Sequence, residues 1–171
     1  MVLLAVVAGA VVLLFLATAL IGAPYVPTHR KEVRRAFRDL YALSEDDVLL
    51  DIGSGDGVVL DEACRAGARA VGYEINPILV WISRWRLLHH DSKAVVDTAN
   101  FWTKPFPSDT TVVYTFGESR DIAKMYRKVS SEATRLERSL MFISYGFAVP
   151  SVSHVKHQRA YYLYEVPALH Q

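Results

Sequence analysis

Gly53, Gly55 and Gly57 alternate with Ser54 and Asp56 directly after the apolar run Val48-Leu49-Leu50-Asp51-Ile52, and Glu74 closes the next apolar run. Glycines let the chain turn tightly and let a ligand approach with no Cβ in the way. A carboxylate at the end of the second strand can accept hydrogen bonds from two ribose hydroxyls. The dinucleotide fingerprint G-x-G-x-x-G needs its third glycine at position 58, which is Val. The phosphate loop needs a Gly-Lys-Ser/Thr ending, and none is present. The loop therefore points to a ribose ligand other than a dinucleotide or a nucleoside triphosphate. A loop that only turns the chain is the bland alternative.

The elements that must position these residues follow from periodicity. Val48–Ile52 reads as a strand and Val58–Ala66 as a helix closed by Gly67. Ala70–Tyr73 is a second strand, and Asn76-Pro77 is an N-cap with proline at the first helical position. Ile78, Ile82, Trp85 and Leu88 then give a helical stripe. Ala94–Asp97 is a weak third strand and Thr111–Phe116 a clear fourth. Ser119 is placed to cap a helix burying Ile122, Met125, Val129, Ala133 and Leu136. Leu140–Tyr145 is a fifth strand and Ala160–Val166 a last one. Such alternation implies an α/β fold: a Rossmann-like, doubly wound, mostly parallel sheet.

Across all 171 residues, 51% are apolar and 22% charged, but the mixture is uneven. In residues 1–23 only Gly9, Thr18 and Gly22 fall outside the apolar set. As a helix that segment would span about 35 Å, enough for a hydrocarbon core of about 30 Å. A cleaved signal peptide (Ala17-Thr18-Ala19 has the small-x-small look) and a buried core helix are the rival readings. The missing basic n-region and the length of the run favour one retained transmembrane helix. Residues 24–43 then form a linker and a basic helix, and 44–171 the main domain. Arg30, Lys31, Arg34, Arg35 and Arg38 follow the span, which by the positive-inside rule puts the domain on the cytoplasmic face. A mitochondrial membrane is the eukaryotic equivalent. The basic helix can rest on anionic headgroups, with Val33, Phe37 and Leu40 packing inward. Net charge +1 argues against a strongly basic nucleic-acid binder. A single cysteine, Cys64, excludes a disulfide framework and reads as a small buried residue. The histidines at 89, 90, 154, 157 and 170 show no metal-ligand spacing.

The stretch D-x-G-x-G-x-G from Asp51 to Gly57, with Glu74 after the second strand, resembles motif I of class I S-adenosylmethionine-dependent methyltransferases. Pro24-Tyr25-Val26-Pro27-Thr28 after an apolar segment, Gly72-Tyr73-Glu74-Ile75-Asn76-Pro77 with Ser83-Arg84, and Asn100-Phe101-Trp102 narrow the likeness. In that order they resemble the small membrane-anchored protein-lysine methyltransferases acting on ATP synthase c-subunit and the adenine nucleotide translocase. The resemblance covers roughly residues 10–150 and implies methylation of a lysine ε-amine in a protein, one embedded in a membrane. It implies S-adenosylmethionine contacts from Asp51, Gly53, Ser54, Gly55, Gly57, Glu74, Asn76, Asn100 and Phe101. Asn100 stands where the family often has Asp, and its amide can still serve an adenine edge. Phe101 and Trp102 can equally be core. A cationic sulfonium with an amine suits the carboxylates of Asp51 and Asp56. Glu118, after Phe116-Gly117, is the candidate to hold the incoming ammonium, or else an acid favouring the next helix's N-terminus. Tyr25 and Thr28 are candidates to fold over the cofactor, and Tyr145 is a weaker candidate. Methyltransferases of amide-like nitrogens resemble one another in an Asn/Asp-Pro-Pro-aromatic stretch where this chain has Tyr114-Thr115-Phe116-Gly117. A lipid or small apolar substrate, and an inactive cofactor-binding scaffold, are the alternatives. The last 20 residues match no motif.

Overall fold

Val48–Ile52 (β1) sends Leu49 into one core and Val48, Leu50 and Ile52 into another, as the two-residue period of a strand covered on both faces requires. A computed structural model describes residues 1, 2, 4–6, 9 and 28–169. Most of the proposed span 1–23 lies outside the described residues, as do Pro24, Tyr25, Val26 and Pro27. Among the described residues no helix is long and apolar enough to cross a membrane.

The remaining strands are Arg69–Glu74 (β2), Ala94–Thr98 (β3), Val112–Phe116 (β4), Leu140–Tyr145 (β5), Lys156–Gln158 (β6) and Tyr161–Val166 (β7). They form one sheet in the order β3-β2-β1-β4-β5-β7-β6. The first five run parallel; β7 is antiparallel to both β5 and β6. Strand order reverses between β1 and β4, the point at whose carboxyl-end side open α/β sheets bind their ligands. Asp51 lies opposite Tyr114 there. The sequence pattern anticipates β1 to β5 and β7 closely. It misses β6, because Lys156-His157-Gln158 has no apolar alternation and pairs only at the sheet's edge.

Helices Arg30–Arg35 (α1), Val58–Arg65 (α2) and Pro77–Leu87 (α3) share one core layer, and Ile122–Arg135 (α4) covers the other face. Val33, Phe37 and Leu40 are buried as expected, the last two in a π turn that continues α1. The basic residues around them behave differently from a free headgroup-binding face. Arg30 and Arg34 both bond Glu62, and Arg30 also bonds Asp61; both acids are buried on α2. Arg35 pairs with Glu32 and Arg38 with Asp39. A buried carboxylate is costly unless it is paired and hydrogen-bonded, so Arg30 and Arg34 dock α1 onto α2. Arg159, in the β6–β7 turn, reaches Glu32 at 3.2 Å, which fastens the C-terminal hairpin to α1.

Two further expectations need correction. The stripe Ile78, Ile82, Trp85 and Leu88 is not the buried one: Leu79, Val80, Ser83 and Leu87 face inward. The helix is apolar on two sides, so periodicity alone cannot choose. The choice is made by Ser83, a residue small enough to sit against Gly57. Ser119 is exposed and caps nothing; α4 starts a little later, with Asp121 at its N-cap position.

Candidate functional site

Asp51 is the last residue but one of β1, at the switch point; it is buried, and no ion pair reaches its carboxylate among the described residues. Burial, together with the nearby charges of Glu74 and Asp56, pushes its carboxyl well above the ordinary value. An isolated buried carboxylate of this kind favours a ligand that brings positive charge. Asp56, the other acid of the loop, is committed elsewhere. It pairs with Arg86 at 2.6 Å, so the loop is less rich in available carboxylate than its sequence suggests.

The glycines divide the work. Gly53 has φ +88°, and a Cβ there would meet nothing within 4 Å, so its face opens to the crevice. Gly55 donates its N–H to Glu74 Oε2 at 2.9 Å. Gly57, at φ +80°, faces α3 instead: a Cβ there would lie 2.1 Å from Ser83 Oγ. Gly57→Ala is therefore expected to cost about 2–4 kcal/mol, from the left-handed backbone and the overpacking together. Chemical denaturation would measure this. Adding Ser83→Ala should restore part of the loss, and a single variant as stable as the parent would refute the packing role.

Glu74 is buried at the end of β2. Its Oε1 accepts from the Asn76 N–H at 2.8 Å while Oε2 holds Gly55. Each carboxylate oxygen keeps a second lone pair, enough for two hydroxyl donors. Asn76 Oδ1 accepts from the Ile78 N–H at 3.0 Å and so caps α3 as the sequence predicts. Ser54 is buried with its Oγ lacking a hydrogen-bond partner among the described residues. The Ala99 N–H donates to the Glu74 backbone carbonyl at 2.8 Å, which ties the segment entering Asn100 to the end of β2. Asn100 Oδ1 is occupied by the Trp102 N–H at 3.0 Å, in a turn that fixes this segment. Phe101 and Trp102 are half-buried, pack on the core beneath α4 and lie 4.4 Å apart, as the core reading of both expects.

On the other side of the switch point β4 ends at Phe116, with Gly117 and Glu118 beyond it. Phe116 and Tyr145 are half-buried, 5.0 Å apart, and Tyr145 stacks on Tyr161 at 4.6 Å. A Cβ on Gly146 would come within 3.2 Å of the Phe116 ring, which is why the aromatic pair can close up there. Glu118 is half-buried, and its carbonyl receives the N–H groups of Asp121 and Ile122. Its carboxylate approaches Arg120 at 3.6 Å. Beneath them the Tyr114 hydroxyl is raised well above the usual phenol range by burial, with Tyr161 and Asp51 nearby. Thr28 is half-buried two residues before α1, and Tyr25 lies outside the described residues.

Sequence spacing gave no sign of one cluster that the fold assembles. Asp61 meets His90 at 2.6 Å and His89 at 3.3 Å. It also binds Arg30 and Arg65. Against the effect of burial, hydrogen bonds from His90 and Arg30 hold its carboxyl down at about 2. With two guanidinium groups already on the acid, this cluster ties α1 to α2 rather than offering a cation site. Cys64 is buried, and burial pushes its thiol up to about 11, as expected for an inert helix residue.

The switch point thus combines an open glycine face, a carboxylate with no cationic partner among the described residues and a second carboxylate whose oxygens each keep a free lone pair. A ribose bearing a cationic, amine-containing chain meets each of these, so the residues fit S-adenosylmethionine. Residues 51–156 match the ANTKMT methyltransferase domain. The chain is similar to the ATP synthase c-subunit lysine N-methyltransferase of Xenopus laevis, 33% identical over 132 residues, 75% of this chain and 55% of that protein. The Rattus norvegicus protein of the same name is 34% identical over 142 residues, 80% of this chain and 62% of its own length. The chain therefore spans little more than half the length of these relatives. An RNA methyltransferase from Salinibacter ruber, solved with S-adenosyl-L-homocysteine, superposes with a TM-score of 0.71 at 25% identity, over 85% of this chain and 97% of that one.

Proposed function

The chain belongs to the ANTKMT methyltransferase family, and from that premise we propose a membrane-anchored enzyme that methylates the ε-amine of lysine in a membrane-embedded protein. S-adenosylmethionine is its cofactor. When bound, that cofactor supplies a methyl group on a sulfonium, open to in-line attack by a neutral amine. Glu74 accepts the ribose hydroxyls, held in place by the Gly55 and Asn76 N–H groups. Asp51 supplies a carboxylate with no cationic partner among the described residues, which the positive charge of the ligand would offset.

The observation that carries the lysine assignment is the acceptor side. Phe116 and Tyr145 pair half-buried at the carboxyl ends of β4 and β5, with Glu118 two residues past Phe116, on the strand next to Asp51. Aromatic faces within about 6 Å attract an ammonium, and a carboxylate orients it. Lysine, with an ordinary pKa near 10.4, must lose a proton before it can react. Desolvation in the crevice and a neighbouring positive charge both favour that loss. No side chain is required as a base, since water at the crevice mouth can take the proton. Tyr25 and Thr28, at the junction with the anchor, complete the proposal as a cover over the site.

The names of the relatives support a protein lysine over other acceptors. The segment Tyr114-Thr115-Phe116-Gly117 also lacks the proline-rich stretch of enzymes acting on amide-like nitrogens. Residues 1–23 support the anchor by composition, and the following cluster of arginines favours a domain on the cytoplasmic face. Membranes incubated with the protein and methyl-labelled cofactor should gain label on lysines of membrane proteins, located by mass spectrometry. Label confined to the lipid extract would overturn the assignment in favour of a lipid substrate. Absence of label from both would favour an inactive scaffold.

A further inference from the structure

Trp81, Trp85 and Leu88 are 70%, 71% and 71% exposed, although large apolar side chains are ordinarily among the first to be buried. Spaced four and three apart, they occupy one face of α3 and its extension, opposite the buried Leu79, Val80, Ser83 and Leu87. Two of the chain's three tryptophans are on this patch. The helix Pro77–Leu87 contains no acid and two arginines, Arg84 and Arg86. Arg84 is anchored to the Val96 carbonyl and Arg86 to Asp56, so neither covers the patch. A short helix with tryptophan and leucine on one face, flanked by arginine and free of acids, has the composition of one lying in a membrane interface. Tryptophan rings favour headgroup depth because they are apolar in body and polar at the indole N–H.

Position favours the same occupant. α1, α2 and α3 lie in one layer against the same core. Residues 24–29, which join the apolar segment to α1, extend at most about 20 Å. Neighbouring packed helices are about 10 Å apart, so α3 lies about 20 Å across the layer from α1. A bilayer holding residues 1–23 is therefore within reach of the α3 face. We infer that the Trp81–Trp85–Leu88 face rests in the headgroup region of that bilayer and lays the domain on the membrane. This rests on the anchored reading of residues 1–23. It adds an orientation: α3 begins just after Glu74, so the seated helix keeps the cofactor crevice beside the membrane surface.

The full chain, mixed with vesicles of phosphatidylcholine and phosphatidylglycerol carrying brominated acyl chains, tests this by flotation and tryptophan fluorescence. The chain should float, with its emission shifted to the blue and most of it quenched by bromine. The Trp81→Phe/Trp85→Phe variant, left with Trp102 alone, should still float and lose that quenching. Flotation of the parent with no more quenching than the variant would overturn the seated helix and leave the anchor standing. Failure of the parent to float would overturn both. Protection from aqueous acrylamide without bromine quenching would also overturn the inference, and would assign the face to a second copy of the chain.

Discussion

Glu74→Ala is expected to weaken S-adenosylmethionine binding about 10²–10³-fold in calorimetry, since two hydrogen bonds to a charged acceptor are worth about 3–4 kcal/mol together. The loss has two sources. The ribose hydroxyls lose their acceptor, and the Gly55 and Asn76 N–H groups lose the carboxylate that now fixes the glycine loop against the start of α3. Because the second effect disorders the loop itself, Glu74→Gln is the informative companion. It keeps one acceptor oxygen and should recover part of the affinity. Methylthioadenosine, which has the ribose but no amino-acid chain, should be weakened as much as the full cofactor. Unchanged affinity in a folded Glu74→Ala protein would refute the ribose role.

Asp51→Asn should have opposite effects on stability and on binding. The Asp51 carboxyl is held well above its ordinary 3.8 by burial and by the charges of Glu74 and Asp56. Below pH about 4 both folded and unfolded chains carry the proton, and the residue costs nothing. As pH rises further, the unfolded chain releases the proton first, so the folded chain holds more protons and stability falls with pH. The decline stops once the folded group has ionised, and the penalty then stays constant. Asparagine removes it. The ligand-free variant should melt at least 2 °C higher at neutral pH and show no gain at pH 3, given that about 1 kcal/mol shifts a chain of this size by roughly 2–4 °C. Its affinity for S-adenosylmethionine should fall at least about tenfold, the worth of one charged hydrogen bond. Methylthioadenosine binding should be unchanged, which separates Asp51 from Glu74. A variant that melts no higher and binds no worse would show that Asp51 is already neutralised within the protein.

Residues near in sequence carried most of what could be read in advance. Val48–Ile52 read as a strand, because a short run with four apolar residues of five, between Asp46-Asp47 and Gly53, suits a strand covered on both faces. Asn76-Pro77 could only open a helix, since its cap uses an acceptor two residues from the donor. The loop from Gly53 to Gly57 and the acid at Glu74 were equally legible, because the turn and the strand end are set by local backbone geometry. These elements determine the parallel strands of the sheet and the placing of a glycine loop and an acid at its switch point.

What remained depended on which residues meet across the chain. Two apolar stripes on α3 were equally plausible by period. The close approach of Ser83 to Gly57 buried one and left Trp81 and Trp85 outside. The arginines after the apolar segment looked like a free basic face until α2 supplied the buried acids Asp61 and Glu62. Asp56 looked like a ligand for a cation until Arg86 proved to hold it. Gln158 and Tyr161 pair across a turn that has no apolar rhythm on one side. Periodicity and spacing report what a residue does to its own few neighbours. Burial, charge pairing and the choice between two apolar faces are settled by partners distant along the chain, and only the folded structure brings those partners together.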